Sequence, residues 1–191
     1  STMKIMALNR ALGETITDPI AVDIIPDSAI IKDRKPFFMP DFSSKWEYDL
    51  NIAVRVNRLG KNVGEKFANR YYDAITLCLR MIPMDMIEKL SVAGITSNLA
   101  SSFDGAIILG DWQSIASIQE QIKISIGNFE TTINTSDIKI DNSIKQLSKY
   151  FTFKIGDILI PAKLNYQSEF KIDDIIVGKI NNIECVNFKI K

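Results

Sequence analysis

The stretch that most constrains the fold is Trp46–Val56, WEYDLNIAVRV, because its residues alternate in character along its length. Successive side chains of a β-strand point to opposite faces of the sheet, so this alternation predicts a strand at the centre of the fold. One face is apolar and the other carries most of the polar groups. The apolar face is formed by Tyr48, Leu50, Ile52, Val54 and Val56, and the opposite face by Glu47, Asp49, Asn51, Ala53 and Arg55.

Two carboxylates lie on the polar face of this predicted strand. Glu47 and Asp49 are two residues apart, so their side chains project from one face and form a compact anionic notch. Such a notch either binds a hard cation through its oxygen atoms or is neutralised by another group. The alternative is an exposed polar strand face, whose charges contribute little to stability.

Composition excludes several classes of function. A chain of 191 residues with 46% hydrophobic residues predicts one compact domain, which we place at residues 3–191, with residues 1–2 as a cloning remnant before Met3. Lys+Arg 23 against Asp+Glu 23 gives a net charge of +0, which argues against nucleic acid or an acidic membrane as a partner. The chain contains no histidine, which excludes imidazole bases, His-based triads and His-ligated zinc.

The cysteines and the apolar segments indicate the compartment. No apolar run approaches the roughly 20 residues that span a bilayer, and no secretory signal precedes the domain, so we expect a cytoplasmic protein. Cys78 and Cys185 are isolated and lack metal-ligand spacing. A disulfide between them is one alternative, and a buried reduced pair is the one that a cytoplasmic location favours.

Short β-prone segments account for most of the remaining chain. They are separated by turn residues such as Gly127-Asn128, and they predict an α+β fold that is rich in β-strands rather than a repeated βαβ unit. The predicted strands are Met3–Ala7, Ile20–Ile25, Ala74–Met81, Ile107–Leu109, Ile122–Ile126, Phe129–Ile133, Asp157–Ile160, Ile175–Ile180 and Val186–Ile190.

Two or three helices are expected to flank these strands. The first is predicted at about residues 63–72, with Asn62 as its N-cap and Glu65 placed for a capping box. A short helix or turn begins at Met84, after Pro83 ends the preceding strand. In a third helix, capped by Asp141, one face is apolar. That face consists of Ile140, Ile144, Leu147 and Phe151.

Several of these segments, in this order and spacing, resemble the catalytic domain of the fumarylacetoacetate hydrolase family. The resemblance runs from Met3 to Lys191 and is strongest at Glu47–Val56, which is similar to the family's E-x-E-L-x-x-V strand with Asp49 at the second Glu. The other matching segments are Leu59–Asn62 (R-x-G-K-x-I), Ser102–Gly105 (K-x-F-D), Asn134–Asp137 (N-T-S-D/L) and Leu147–Ile160, the helix and strand before the substrate loop.

The resemblance implies a β-rich mixed-sheet fold and a specific chemistry. Family members bind Mg²⁺ or Mn²⁺ through two carboxylates of one strand and an Asp of the next strand. The metal holds a small 2-oxo or 1,3-diketo acid for hydrolysis, decarboxylation or tautomerisation. On this basis Glu47 and Asp49 correspond to the first two metal ligands, and a homodimer is expected.

The third ligand position departs from the family pattern. Aligning Tyr71–Ala74 with the family's helix end places Arg80 where the metal-binding Asp belongs, and Asp85 on the last Asp of that motif. A guanidinium is incompatible with a dication a few Å away, but its planar fork suits carboxylates. We therefore expect Arg80 to bridge Glu47 and Asp49, with a surface arginine as the alternative.

Other family groups are also replaced. The N-terminal motif with the catalytic His has no counterpart around Leu8–Asp18, and the active-site Lys corresponds to Ser101, close to a loop residue, Asp104. The family's W-E pair reads Ser97-Asn98, and its T-G-T-P substrate loop reads Pro161-Ala162-Lys163-Leu164. Together these changes remove a metal ligand, an acid/base group and the loop that binds the substrate carboxylate in the family.

The sequence therefore predicts a degenerate family member with a binding or structural role, without catalytic residues and without a required cofactor. In it Glu47 and Asp49 are remnant metal ligands, and Arg80 occupies the third ligand position. The alternative is an active Mg²⁺- or Mn²⁺-dependent enzyme for a 2-oxo or 1,3-diketo acid, with Asp73 or Asp85 as third ligand. A further alternative is a module that binds a 2-oxo acid without chemistry.

Overall fold

A computed structural model describes residues 2–191, so Ser1, half of the expected cloning remnant, lies outside the described residues. Strands dominate the described chain, and short helices flank them, as the sequence predicts. The strands are β1 (Lys4–Leu8), β2 (Val22–Pro26), β3 (Ile30–Ile31), β4 (Trp46–Val56), β5 (Tyr72–Pro83), β6 (Ile107–Leu109), β7 (Gln113–Ser114), β8 (Gln121–Ile126), β9 (Phe129–Asn134), β10 (Ile158–Glu169), β11 (Ile175–Ile180) and β12 (Ile183–Lys189). The α-helices are α1 (Met84–Val92), α2 (Asn98–Ser102) and α3 (Ile140–Leu147).

Strand β4 has the bounds that the alternation predicts. Its apolar side chains are buried, from Trp46 to Val56, whereas Glu47, Asp49 and Arg55 on the other face are half-buried. Aromatic rings extend the apolar face: the Trp46 ring lies 5.6 Å from that of Phe37 and 5.6 Å from that of Phe103. Burial of one face therefore fixes which side of the strand presents the carboxylates.

The main sheet is mixed and has β4 near its centre. Within residues 2–191 it contains eight strands in the order β2-β1-β10-β4-β5-β6-β3, with β7 paired to β5. Strand β4 is antiparallel to both β5 and β10, whereas β1 is parallel to β10 and β3 is parallel to β6. The α+β fold with a mixed sheet, expected from the sequence, is confirmed.

A smaller antiparallel sheet packs against β5. Its strand order is β12-β11-β8-β9. The two sheets approach closely at Gly178 on β11, where an added Cβ would lie 3.3 Å from the Leu77 side chain of β5. Cys78 and Cys185 are both buried and are not joined in a disulfide.

The first predicted helix is wrong in kind. Glu65–Arg70 forms a 3₁₀ helix that begins after Gly64, and Asn62 has a φ of 50°, outside the extended region that an N-cap adopts. The reason is tertiary, because the backbone N–H of Asn62 donates to the carbonyl oxygen of Ser148 at 2.9 Å. Glu65 therefore forms no capping box.

The other two helices agree with the sequence in position. Helix α1 begins directly after Pro83, and α3 buries Ile140, Ile144 and Leu147 along one face. The residue before α3 is Lys139, with a φ of 54°, so Asp141 lies in the first turn rather than at the cap. None of the helices in the described part of the chain has the length and apolar character needed to span a bilayer.

Candidate functional site

Strand pairing brings the predicted site residues to one face of the main sheet. In the β4–β5 register, Asp49 lies directly opposite Arg80, and Glu47 lies opposite Ile82. On the other side of β4, Lys163 of β10 lies opposite Asn51. Asp49 therefore has Arg80 beside it on β5, and Lys163 lies opposite the next residue on the same face of β4.

The Arg80 guanidinium contacts partners that the sequence did not indicate. Its Nη2 lies 2.9 Å from Oδ2 of Asp23 on β2, and its Nη1 donates to Oδ1 of Asn9 at 3.3 Å. The expected bridge to Glu47 and Asp49 is therefore wrong. Asp23 presents an oxygen within reach of the guanidinium, and Asn51 already occupies Oδ1 of Asp49.

The two strand carboxylates are held by amides rather than by cations. The Asn51 side-chain amide donates to Oδ1 of Asp49 at 2.6 Å, and the Gln167 amide donates to Oε2 of Glu47 at 3.2 Å. Burial raises the pKa of Asp49, and the nearby charges of Arg80 and Lys163, together with the Asn51 bond, oppose this only in part. Asp49 is thus a partly desolvated carboxyl group without a direct ion pair among the described residues.

Beside the two strand carboxylates the described residues present a cation rather than a third oxygen ligand. The described residues contain no group of three or more His, Cys, Asp or Glu side chains that could hold one. Arg80 projects from the position directly across the strand pair from Asp49, where a third oxygen ligand would be needed. Its permanent charge would repel a dication bound to Asp49 and Glu47.

The two acidic residues considered as a third ligand are bound elsewhere. Asp73 forms a two-point ion pair with Arg55, at 2.9 and 3.1 Å. Asp85 accepts hydrogen bonds from the Ser43 hydroxyl and from the Ser44 backbone N–H, at 2.9 Å for the latter. The Ser43 bond, followed by the Ser44 bond, lowers the pKa of Asp85. Recruitment of Asp73 or Asp85 to the carboxylate pair is therefore wrong for this structure.

A cleft lies beside Asp49 and Arg80. One part, of about 300 Å³, is lined by Asp49, Arg80 and Lys163 together with Asn9 and Arg10. A second part, of about 260 Å³, shares Asn9, Asp49 and Arg80 and continues beneath α1 and α2. The cleft is thus large enough for a small organic acid.

The family positions that changed identity lie at the cleft or beside it. Ser101 lines the second part, and its hydroxyl donates to the carbonyl oxygen of Asn98 at 3.0 Å. Ser97 lines the same part, whereas Asp104 is exposed in the turn after α2. Lys163, in the segment that replaces the substrate loop, lines the first part.

Arg10 anchors the wall of the cleft. Its guanidinium is buried and donates to four backbone carbonyl oxygens, two of them through Nη1 at 2.9 and 3.0 Å. The acceptors belong to Glu14, Asp137, Ile138 and Pro161. Burial lowers the pKa of Arg10. Three of these contacts join residues more than a hundred positions apart, so no local pattern could have revealed them. The contacts of Arg80 with Asn9 and Asp23 span 71 and 57 positions and were equally beyond the reach of a local pattern.

Comparisons with known sequences and structures agree with this fold. Residues 13–161 match the family model described as the fumarylacetoacetate (FAA) hydrolase C-terminal domain. A curated relative is the mitochondrial oxaloacetate tautomerase of Pongo abelii, which is 24% identical over 189 residues, 95% of this chain and 86% of that protein.

Solved structures share the architecture at low sequence identity. A fumarylacetoacetate hydrolase family protein of Yersinia pestis CO92 aligns with a TM-score of 0.82 at 20% identity, covering 100% of this chain and 93% of the other. The fumarylpyruvate hydrolase of Pseudomonas aeruginosa, solved with Mn²⁺ and pyruvate, gives 0.80 at 10% identity, covering 100% and 89%. These likenesses establish the fold, and the family model covers most of the sequence. The chain therefore belongs to the fumarylacetoacetate hydrolase family.

Proposed function

We propose that this chain binds a small 2-oxo acid in the cleft beside Asp49 without a tightly held divalent metal, as a family member with a degenerate metal site. The observation that carries the proposal is the position of Arg80 directly opposite Asp49. Two unit charges about 4 Å apart interact by about 4 kcal/mol at an effective dielectric constant of about 20, and a dication doubles the repulsion. Arginine cannot relieve this repulsion by losing its proton.

The ligand class follows from the charges and from the relatives. Lys163 lines the cleft together with Asp49, and its ammonium group has no carboxylate partner within 4 Å among the described residues, which favours a carboxylate ligand in a cleft of this volume. Oxaloacetate occurs in the name of one relative, and one solved structure of the same fold is a complex with pyruvate. Both are small 2-oxo acids, so this class is the natural first choice for the cleft.

Two titrations test the proposal. After treatment with a chelator, isothermal titration of the chain with Mg²⁺ and with Mn²⁺ is expected to show no binding in the micromolar range. Titration of the same metal-free protein with pyruvate and oxaloacetate is expected to show saturable binding. Micromolar metal binding that disappears in Glu47→Gln, or the absence of binding by every 2-oxo acid, would refute the proposal.

A second candidate is a metal-dependent enzyme of the family's kind. It is favoured by the retained Glu47 and Asp49 and by the names of the relatives, an oxaloacetate tautomerase and a fumarylpyruvate hydrolase solved with Mn²⁺. An ultraviolet assay of oxaloacetate keto–enol exchange with added Mg²⁺ or Mn²⁺ distinguishes it. The enzyme predicts metal-dependent exchange that Asp49→Asn abolishes and that the remote variant Lys179→Gln leaves unchanged.

A further inference from the structure

The cleft has two parts with different lining. The first, which we name the polar lobe, is lined by Arg10, Glu14, Asn51 and Lys163. The second contains the apolar side chains of the cleft, and we name it the apolar lobe for that reason. It is lined by Ile82, Ile87, Ala100 and Ala106, and also by polar residues that include Asp23, Ser97 and Ser101. The lobes adjoin at Asn9, Asp49 and Arg80, which line both.

Lys163 is the cation of the polar lobe that is available to a ligand. Arg10 donates to four backbone carbonyl oxygens, and Arg80 is paired with Asp23. Within residues 2–191, no carboxylate lies within 4 Å of the Lys163 ammonium group, in contrast to the paired lysine Lys4. The Lys163 backbone is held in place, because its N–H donates to Arg10 O at 3.0 Å and its carbonyl accepts from Leu12 N at 2.8 Å.

The apolar lobe would not accept a second carboxylate. Negative charge is in excess there, because Asp23 and Asp49 line this lobe with Arg80 as its one cation among the described residues. In the polar lobe the cations outnumber the carboxylates, with Arg10, Arg80 and Lys163 against Glu14 and Asp49. A carboxylate placed there would meet like charges, whereas methylene groups would contact Ile82, Ile87 and alanine side chains. The two ends of the cleft therefore favour opposite ends of an amphiphilic acid.

We infer that the preferred ligand is a 2-oxo acid with one carboxylate and a straight aliphatic chain, rather than a dicarboxylate such as oxaloacetate. The carboxylate pairs with Lys163 in the polar lobe, and the chain lies in the apolar lobe against Ile87. This inference rests on the proposed binding of 2-oxo acids and specifies which of them the cleft selects. Burial of one methylene corresponds to an affinity gain of about fourfold.

A chain-length series measured by isothermal titration tests this preference. Dissociation constants of pyruvate, 2-oxobutanoate, 2-oxopentanoate and oxaloacetate are measured on the metal-free protein. Affinity is expected to rise about fourfold per methylene, with oxaloacetate at least about tenfold weaker than 2-oxopentanoate. Equal affinity along the series, or tighter binding of oxaloacetate, would overturn this inference and leave the proposed function standing. Absence of binding by all four acids would instead refute the proposed function.

Two variants separate the contributions of the lobes. Lys163→Gln is expected to weaken the binding of all the monocarboxylates by about tenfold, while the gain in affinity per methylene persists. The matched control is Lys179→Gln, which changes an exposed lysine of the smaller sheet. Ile87→Ser is expected to remove the gain per methylene while pyruvate binding is kept, with the exposed Ile175→Ser as control. An unchanged affinity in Lys163→Gln, or an unchanged gain in Ile87→Ser, counts against the inference.

A third variant tests the apolar lobe without removing any of its apolar side chains. Ser101→Leu adds volume to the apolar lobe without removing an apolar contact, and Ser101 is half-buried at the end of α2. It is expected to weaken the binding of 2-oxopentanoate by more than about tenfold and that of pyruvate by less than about twofold. Its melting temperature is expected to stay near that of the parent protein. Equal weakening of both acids would contradict the assignment of the aliphatic chain to this lobe.

Discussion

The contacts of Arg80 make a quantitative prediction about stability. Arg80→Ala removes the ion pair with Asp23 at 2.9 Å and the weaker bond to Asn9 at 3.3 Å. The side chains of Arg80 and Asp23 are 17% and 31% exposed, between the values of a surface pair and a buried one. Surface pairs contribute up to about 1 kcal/mol, and breaking a buried pair costs about 3–5 kcal/mol. We therefore expect the free energy of unfolding to fall by about 2 kcal/mol.

Equilibrium unfolding in urea measures this loss, and a double-mutant cycle assigns it. Asp23→Asn and the double variant with Arg80→Ala are expected to give a coupling energy of about 1 kcal/mol, since Asp23 can partly rehydrate. Lys123→Ala is the control, because its pair with Glu130 also joins neighbouring strands but has side chains 41% and 61% exposed. That variant is expected to lose less than about 0.5 kcal/mol.

The result discriminates between two descriptions of the cleft. A loss for Arg80→Ala no larger than that of Lys123→Ala would refute the argument and make Arg80 a solvated side chain. A loss above about 4 kcal/mol, with no coupling to Asp23, would instead indicate that Arg80 neutralises the half-buried carboxylates of Glu47 and Asp49, as the sequence suggested.

Three further predictions concern positions outside the cleft. Asp157→Ala removes a fully buried carboxylate that lies 2.6 Å from Lys4 Nζ. The free energy of unfolding, measured in urea, is expected to fall by about 3 kcal/mol, and a fall of less than about 1 kcal/mol would contradict this. Gly110→Ala places a Cβ 2.9 Å from two backbone carbonyl oxygens, so the free energy of unfolding is expected to fall by about 2 kcal/mol. In the control Gly64→Ala the added Cβ has its nearest neighbour at 3.6 Å, and no change in the free energy of unfolding is expected. A serine hydroxyl bond lowers the pKa of Asp85 in the folded state, so the stability that its charge contributes is complete above the unfolded pKa of about 3.9 and is lost as pH falls through the folded value. The difference in melting temperature between the parent protein and Asp85→Asn is expected to shrink as pH falls from about 7 to about 3, and a constant difference would contradict this assignment.

The local sequence pattern was sufficient to predict those strands that bury one face. The bounds of β4 and the pairing of β8 with β9 around Gly127-Asn128 follow from alternation and turn chemistry. The helix predicted after Asn62 failed for the opposite reason. Its backbone is held by Ser148, a residue distant in sequence, and a tertiary hydrogen bond overrides a local capping signal.

The sequence by itself determined the family, the fold class and the face of β4 that presents Glu47 and Asp49. The resemblance to the family motif also placed Arg80 on the neighbouring strand, as the β4–β5 register confirms. Only the tertiary structure decided which carboxylate Arg80 pairs with. Asp23 comes from β2, and side chains from strands far apart in sequence meet only when the sheet is assembled. Ion pairing depends on distances of a few Å in space, which sequence spacing does not encode.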